Sequence, residues 1–166
     1  MAVAQRVDLP MKISGQTVAP GDAASGPTWA MDLAKVLLSG TGTDQADKCW
    51  FDARSLATSA TDALDLQTQV DLNGVALSLL EVRALVVKNT GTVTINLSPN
   101  AANGWLAMLT AAADVTALPA GASIVWLSPK DGAGSAVSAT NKVLDVINTS
   151  GSVAATYEIA VVGCSA

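Results

Sequence analysis

The sequence predicts an all-β chain: an antiparallel β-sandwich or jelly roll with an extended N-terminal arm and at most one or two short helices. Three observations carry this. Apolar and polar residues alternate at period two over several short segments, clusters of Gly, Pro, Asn and Ser separate those segments, and no stretch sustains a helical period. At 166 residues the chain fits one domain able to bury a core of its own. Half of its residues are apolar, 14% are charged, and mean hydropathy is +0.40. So apolar a balance asks for burial beyond the usual core, and a partner surface is one place for it.

Residues 1–27 hold Pro10, Pro20 and Pro27 with Gly15, Gly21 and Gly26 and show neither period for long. Proline and glycine at this spacing break helices and central strands, so the segment is expected to be an extended arm that is mobile or lies along a neighbour. Residues 28–166 are expected to form a single sandwich. Trp29 to Leu38 fits a helix face and a strand equally, and Ser39 to Asp47 is a turn-rich loop. Two short strands follow, Cys49 to Leu56 and Ala60 to Leu66.

The pattern sharpens after Leu79. Val93, Ile95 and Leu97 alternate with Thr92, Thr94 and Asn96, the signature of a strand buried on one face. An apolar run bounded by Arg83 and Lys88 precedes it, and Asn89-Thr-Gly91 offers a short turn. Residues 82–98 therefore read as a β-hairpin. Ala101 to Thr110, after Pro99, is a candidate short helix. Further strands are expected at Ser123 to Leu127, Lys142 to Asn148 and Ala154 to Val162. In the last of these, Tyr157, Ile159 and Val161 share one face. Turn chemistry connects them at Pro119-Ala-Gly-Ala122, Pro129-Lys-Asp-Gly-Ala-Gly134 and Asn148-Thr-Ser-Gly151.

Composition excludes several functions. There is no histidine, which removes the commonest general base and the commonest transition-metal ligand. No phosphate-binding glycine loop occurs. No catalytic, cofactor or metal residues are assigned, and an enzyme is not expected. Asp62 with Asp65 and Asp44 with Asp47 are the nearest carboxylate pairs. They read as solvated turn or edge residues, since a hard cation needs six to eight oxygens. A net charge of −5 with dispersed cations disfavours nucleic acid. No apolar stretch approaches the roughly 20 residues of a membrane span, and the N-terminus lacks the features of a cleaved signal. Cys49 and Cys164 are read as buried thiols, with a disulfide left open.

One stretch bears on partners. Between Asn89 and Pro129 the single charged side chain is Asp114. Soluble β proteins place charges on exposed edges to block edge-to-edge pairing, so a segment without them suits a covered surface. Trp50, Trp105 and Trp126 are candidates for the same role, or for stacking on a sugar, because tryptophan buries a large rigid area. They are equally natural core fillers in a chain with one Phe and one Tyr.

Several stretches resemble a family of small structural proteins of tailed bacteriophages. They are Gly40-Thr-Gly-Thr-Asp-Gln-Ala-Asp-Lys48, Arg54-Ser-Leu-Ala-Thr-Ser-Ala-Thr-Asp-Ala-Leu-Asp-Leu66, Arg83-Ala-Leu-Val-Val-Lys-Asn89, Pro119-Ala-Gly-Ala-Ser-Ile124 and Thr156-Tyr-Glu-Ile-Ala-Val-Val-Gly163. The resemblance spans about residues 28–163, and Pro99-Asn-Ala-Ala-Asn-Gly-Trp105 departs from the family pattern. It implies a virion component made in a bacterial cytoplasm, specifically a capsid decoration or cement protein. Its partners would be the major capsid protein and further copies of itself, as a dimer or trimer, with no nucleic acid and no membrane. Val7, Leu9 and Ile13 of the arm are then the expected contacts. The alternative is a tail or fibre module that binds host glycans through its tryptophans.

Overall fold

The computed structural model describes residues 7–9, 12–16, 28–32, 35–71, 74–109, 111, 113–128 and 134–165, with side chains from residue 37 onward. Among these residues there is no helix. The strands are β1 (Val7–Leu9), β2 (Lys12–Gln16), β3 (Thr28–Asp32), β4 (Lys35–Ser39), β5 (Gln45–Ala46), β6 (Lys48–Leu56), β7 (Thr61–Asp65) and β8 (Glu81–Asn89), followed by β9 (Ile95–Pro99), β10 (Thr116–Leu118), β11 (Ser123–Leu127), β12 (Ser135–Ala136), β13 (Val143–Asn148) and β14 (Ala155–Cys164).

Two antiparallel sheets make the sandwich. One has the order β10-β9-β13-β7, and the other has the order β11-β8-β14-β6 with β12 also on β8. The pairing is nested: β6 pairs with β14, β7 with β13, β8 with β11 and β9 with β10. Alternation along each strand supplies the core between the sheets. Trp50, Leu85, Val87, Tyr157, Ile159 and Val161 come from one sheet, and Leu64, Ile95, Leu97, Leu144 and Val146 come from the other. The face read for Tyr157, Ile159 and Val161 is the buried one, with exposures of 0–1%.

The run from Ala84 to Val87 is apolar at every position because β8 is covered on both faces at one end. Leu37 of β4 and Ala46 of β5 pack with Ala84 and Val162 in a second, smaller cluster on the outside of the sheet. Opposite Val162 and Gly163 the register of β8 slips by one residue, so that Val82, not Arg83, faces the main core. The Arg83 guanidinium pairs with Glu81 at 2.8 Å instead.

Residues 82–98 do not form a hairpin. β8 and β9 belong to different sheets, and residues 90–94 cross from one to the other. The link read as a short turn is long enough to cover the roughly 10 Å between packed sheets. Asn89 pins the crossing: its buried amide donates to the carbonyls of Val93 (2.7 Å) and Leu118 (2.8 Å) and accepts from Gly91 N–H (3.0 Å). The candidate helix at Ala101 to Thr110 is a run of turns from 101 to 109, with Thr110 outside the described residues. Trp105 N–H bonds the Val143 carbonyl at 2.9 Å, tying this loop to a strand rather than to its own preceding turn.

Pro119 to Ala122 is a turn closed by Ala122 N–H on the Pro119 carbonyl at 3.0 Å, with Gly121 at φ +74°. That left-handed angle is why glycine stands there. The region Trp29 to Leu38 resolves into β3 and β4. In the expected arm, β1 pairs with β4 and β2 pairs with β3. The remainder of residues 1–27 and the 129–133 turn lie outside the described residues.

Candidate interaction surface

The two flanks of the sandwich differ in chemistry. On one, β6 and β7 are the edge strands, joined by a short turn, and they carry Lys48, Asp52, Arg54, Asp62 and Asp65. Arg54 organises this flank. Its guanidinium donates to Asp52 at 2.9 Å, to both oxygens of Asp62 at 3.2 and 2.9 Å and to Gln69 Oε1 at 2.9 Å, and it lies 5.2 Å from the Trp50 ring centre. Burial pulls the Arg54 pKa down, but the hydrogen bond and charge of Asp62, with help from Tyr157 and Asp52, outweigh it and hold the group above its ordinary value. Asp65 pairs with Lys142 and receives Gln67 N–H. Asp52, Arg54, Asp62 and Asp65 each have an internal partner.

On the opposite flank the described edge strands carry no charge. Its edge strands β10 and β11 both fall within the charge-poor stretch and are joined by the Pro119–Ala122 turn. Among the described residues each pairs with a strand on one side only. Neither Thr116-Ala-Leu118 nor Ser123-Ile-Val-Trp-Leu127 carries Lys, Glu, Asp or Arg to obstruct pairing with another backbone. Val115 (55% exposed), Ala117 and Val125 (38%) lie open along it, with Leu106 of the adjoining 100–115 loop. Behind the edge, the Trp126 ring meets Trp105 edge-on at 5.7 Å and 83°, giving β11 a stiff apolar backing.

A third surface is the outer face of the β11-β8-β14-β6 sheet. Registered pairs define a row Leu127, Ala84, Val162, Cys49, which β4 and β5 cover. Two residues further along the strands lies the row Val125, Val86, Ala160, Phe51. Nothing described covers it, and Phe51 is 51% exposed. It forms a shallow apolar depression with Lys88, Ser123 and Glu158 along the rim.

These surfaces redistribute the residues singled out by sequence. Trp50 and Trp105, at 4% and 1% exposure, belong to the core, so as surface contacts they are corrected: each fills the gap between sheets in a chain short of other bulky residues. Trp126 is half-buried against that core. The side chains of Val7, Leu9 and Ile13 lie outside the described residues. Cys49 and Cys164 are both free, and Cys164 Sγ sits 3.2 Å from the Gln45 carbonyl. Burial pushes the Cys49 thiol pKa up, away from reactivity. The Asp47 oxygens are taken by the N–H and hydroxyl of Ser165. Phe51 and the Arg54 network were not legible beforehand. The available signal was the strict alternation from Trp50 to Leu56, which places Phe51 opposite the tryptophan face. No protein-family model, curated protein or solved structure matches this chain.

Proposed function

We propose that the chain is a virion structural protein of a tailed bacteriophage, a decoration or cement protein that binds the assembled head. The observation that carries this reading is the uncharged flank formed by β10 and β11. Two edge strands without a charge, flanked by exposed Val115 and Val125, are what a freely diffusing monomer avoids and what a subunit seated against a neighbour can use. Binding only the assembled state stabilises it by mass action, and repetition over symmetric copies strengthens weak contacts. The nested pairing supports reading the sandwich as a jelly roll, a form frequent among viral shell proteins. No step of this role needs catalysis, and the chain is read as non-enzymatic. The fibre or glycan-binding alternative has less to stand on with Trp50 and Trp105 in the core.

Cryo-electron microscopy of intact particles tests it. The expected result is density for this sandwich over junctions between major capsid subunits, with the β10–β11 flank toward the shell. Density confined to the tail would transfer the protein to the alternative role.

A further inference from the structure

Hydrogen bonding along β8 alternates, and the alternation decides what β11 shows to the outside. Asn89 N–H donates to the Ala122 carbonyl at 2.9 Å, and Ser128 N–H donates to the Arg83 carbonyl at 2.8 Å. In an antiparallel pair the bonded positions recur at every second residue, so within β11 it is Ile124 and Trp126 that bond to Val87 and Leu85. The other side of β8 agrees: Thr90 N–H donates to the Thr156 carbonyl, which turns the alternate residues Lys88, Val86 and Ala84 toward β14. The N–H and C=O groups of Ser123, Val125 and Leu127 therefore point away from the sheet, along an edge that pairs with no further strand among the described residues. Ser123 and Val125 are exposed there.

Such an edge can be matched by its own copy when its pattern reads the same from both ends, and that of β11 does. Turned antiparallel about Val125, the strand sets Val125 against Val125 of a second copy, Ser123 against Leu127 and Ile124 against Trp126, with each outward N–H facing an outward C=O. This register makes about six backbone hydrogen bonds, whereas a shift by two residues keeps about four. The faces match as well, since Ile124 and Trp126 lie on the core side and Val125 on the outer side in both copies. Charge favours a second copy over an unlike partner. A strand on a two-fold axis meets itself, so a charge near its centre would face its like. From Val115 to Ser128 there is none. We infer that two copies of this chain pair edge to edge through β11, antiparallel and centred on Val125, joining their β11-β8-β14-β6 sheets into one. This deepens the reading of the flank: β11 takes a second copy, and β10 stays available to the shell.

Sedimentation equilibrium of the isolated full chain provides the test, comparing the wild type with Val125→Lys and Val125→Glu. The wild type is expected to be a dimer, and each variant alone to fall to about half that mass, because like charges then face each other across the axis. Mixed in equal amounts, the two variants should return to the dimer mass, since the lysine of one copy then meets the glutamate of the other. Near-ultraviolet circular dichroism of the buried Trp105 and Tyr157 reports the folding of each. A monomeric wild type, a charge variant that still dimerises alone, or a mixture that stays monomeric overturns the inference. Amide hydrogen exchange of the wild type checks it without any substitution: the N–H groups of Ser123, Val125 and Leu127 should be protected in the dimer and lose that protection on dilution. Rapid exchange of all three at the dimer mass refutes pairing through β11. No assembled head enters these measurements, so failure here leaves the shell reading to its own test, and a tail position would leave the dimer intact.

Discussion

The Tyr157 hydroxyl donates a 2.7 Å hydrogen bond to Oδ2 of Asp62, joining β14 of one sheet to β7 of the other. The same carboxylate receives Arg54 from β6, so one side chain holds three strands and both layers together at the charged flank. Apolar packing positions the sheets, and this bond fixes how they are offset at that edge.

Tyr157→Phe keeps the ring and removes the bond. A hydrogen bond to a charged acceptor contributes about 1.5–3 kcal/mol, and the variant should lose stability in that range. Urea unfolding followed by tryptophan fluorescence checks it, with a lower midpoint and an unchanged slope.

The same phenol sets the alkaline limit. Burial, and then the bond to Asp62 and its charge, push the Tyr157 pKa up from its ordinary value of 10.0. A raised pKa in the folded state means that the unfolded chain gives up this proton first as pH rises. The stabilisation is therefore complete below pH 10 and is lost progressively above it. Tyr157 is the single tyrosine, so tyrosinate absorbance reports it alone. The signal should appear together with unfolding, not before it. A folded protein that titrates near pH 10 would contradict the burial described here.

Asn89 is irreplaceable by an isosteric apolar residue. Asn89→Leu would strand the carbonyls of Val93 and Leu118, while the Gly91 N–H keeps its bond to the Thr156 carbonyl. Each unsatisfied group costs about 1–3 kcal/mol, and the sum should bring the variant close to unfolding at room temperature. Thermal melts will show the loss. Asn89→Asp keeps the acceptor but sets a carboxylate oxygen against the Val93 and Leu118 carbonyls in a buried site, and should cost at least as much as the leucine variant.

Gly163 sits at the register slip of β14, where an added methyl would run into the Glu81 carbonyl and touch Leu79. The backbone must move to admit it, so Gly163→Ala is expected to destabilise by about 1–3 kcal/mol. Chemical denaturation measures this, and a neutral result would mean that the slip is not held at this position.

A charge on the bare edge separates binding from folding. Ala117 is exposed on β10, and Ala117→Lys should change stability by no more than about 0.5 kcal/mol. On the proposed role, co-sedimentation with assembled heads should nevertheless fall sharply, since the lysine opposes pairing along that strand. Unaltered co-sedimentation would remove the flank from the contact.

Strand-level features were legible in the sequence wherever one face is buried. The alternation in Ala154 to Val162 identifies β14 and its inward residues, because burial on one side enforces period two. Partnership was not legible. β8 and β9 look like a hairpin because a crossing between layers and a tight turn both use Asn, Thr and Gly, and only the three bonds of Asn89 distinguish them. The helix expected after Pro99 failed for a related reason: Trp105 is drawn into the core by its contact with Trp126, which local spacing does not encode. The charge-poor stretch was visible as composition. That it supplies both edge strands of one flank follows from strand order, a property of the whole chain.

The nested pairing has a consequence for biosynthesis. β14 lies between β8 and β6 and contributes more of the core than any neighbouring turn, yet it is the last strand of the sandwich to leave the ribosome. Until it arrives, β6 and β8 have no common partner, and their apolar faces wait unpaired. Such long-range closure is slow and leaves intermediates prone to aggregation. Synthesis should therefore yield a chain that folds in one late, cooperative event, with chaperone dependence concentrated in the interval before Ala155–Cys164 emerges.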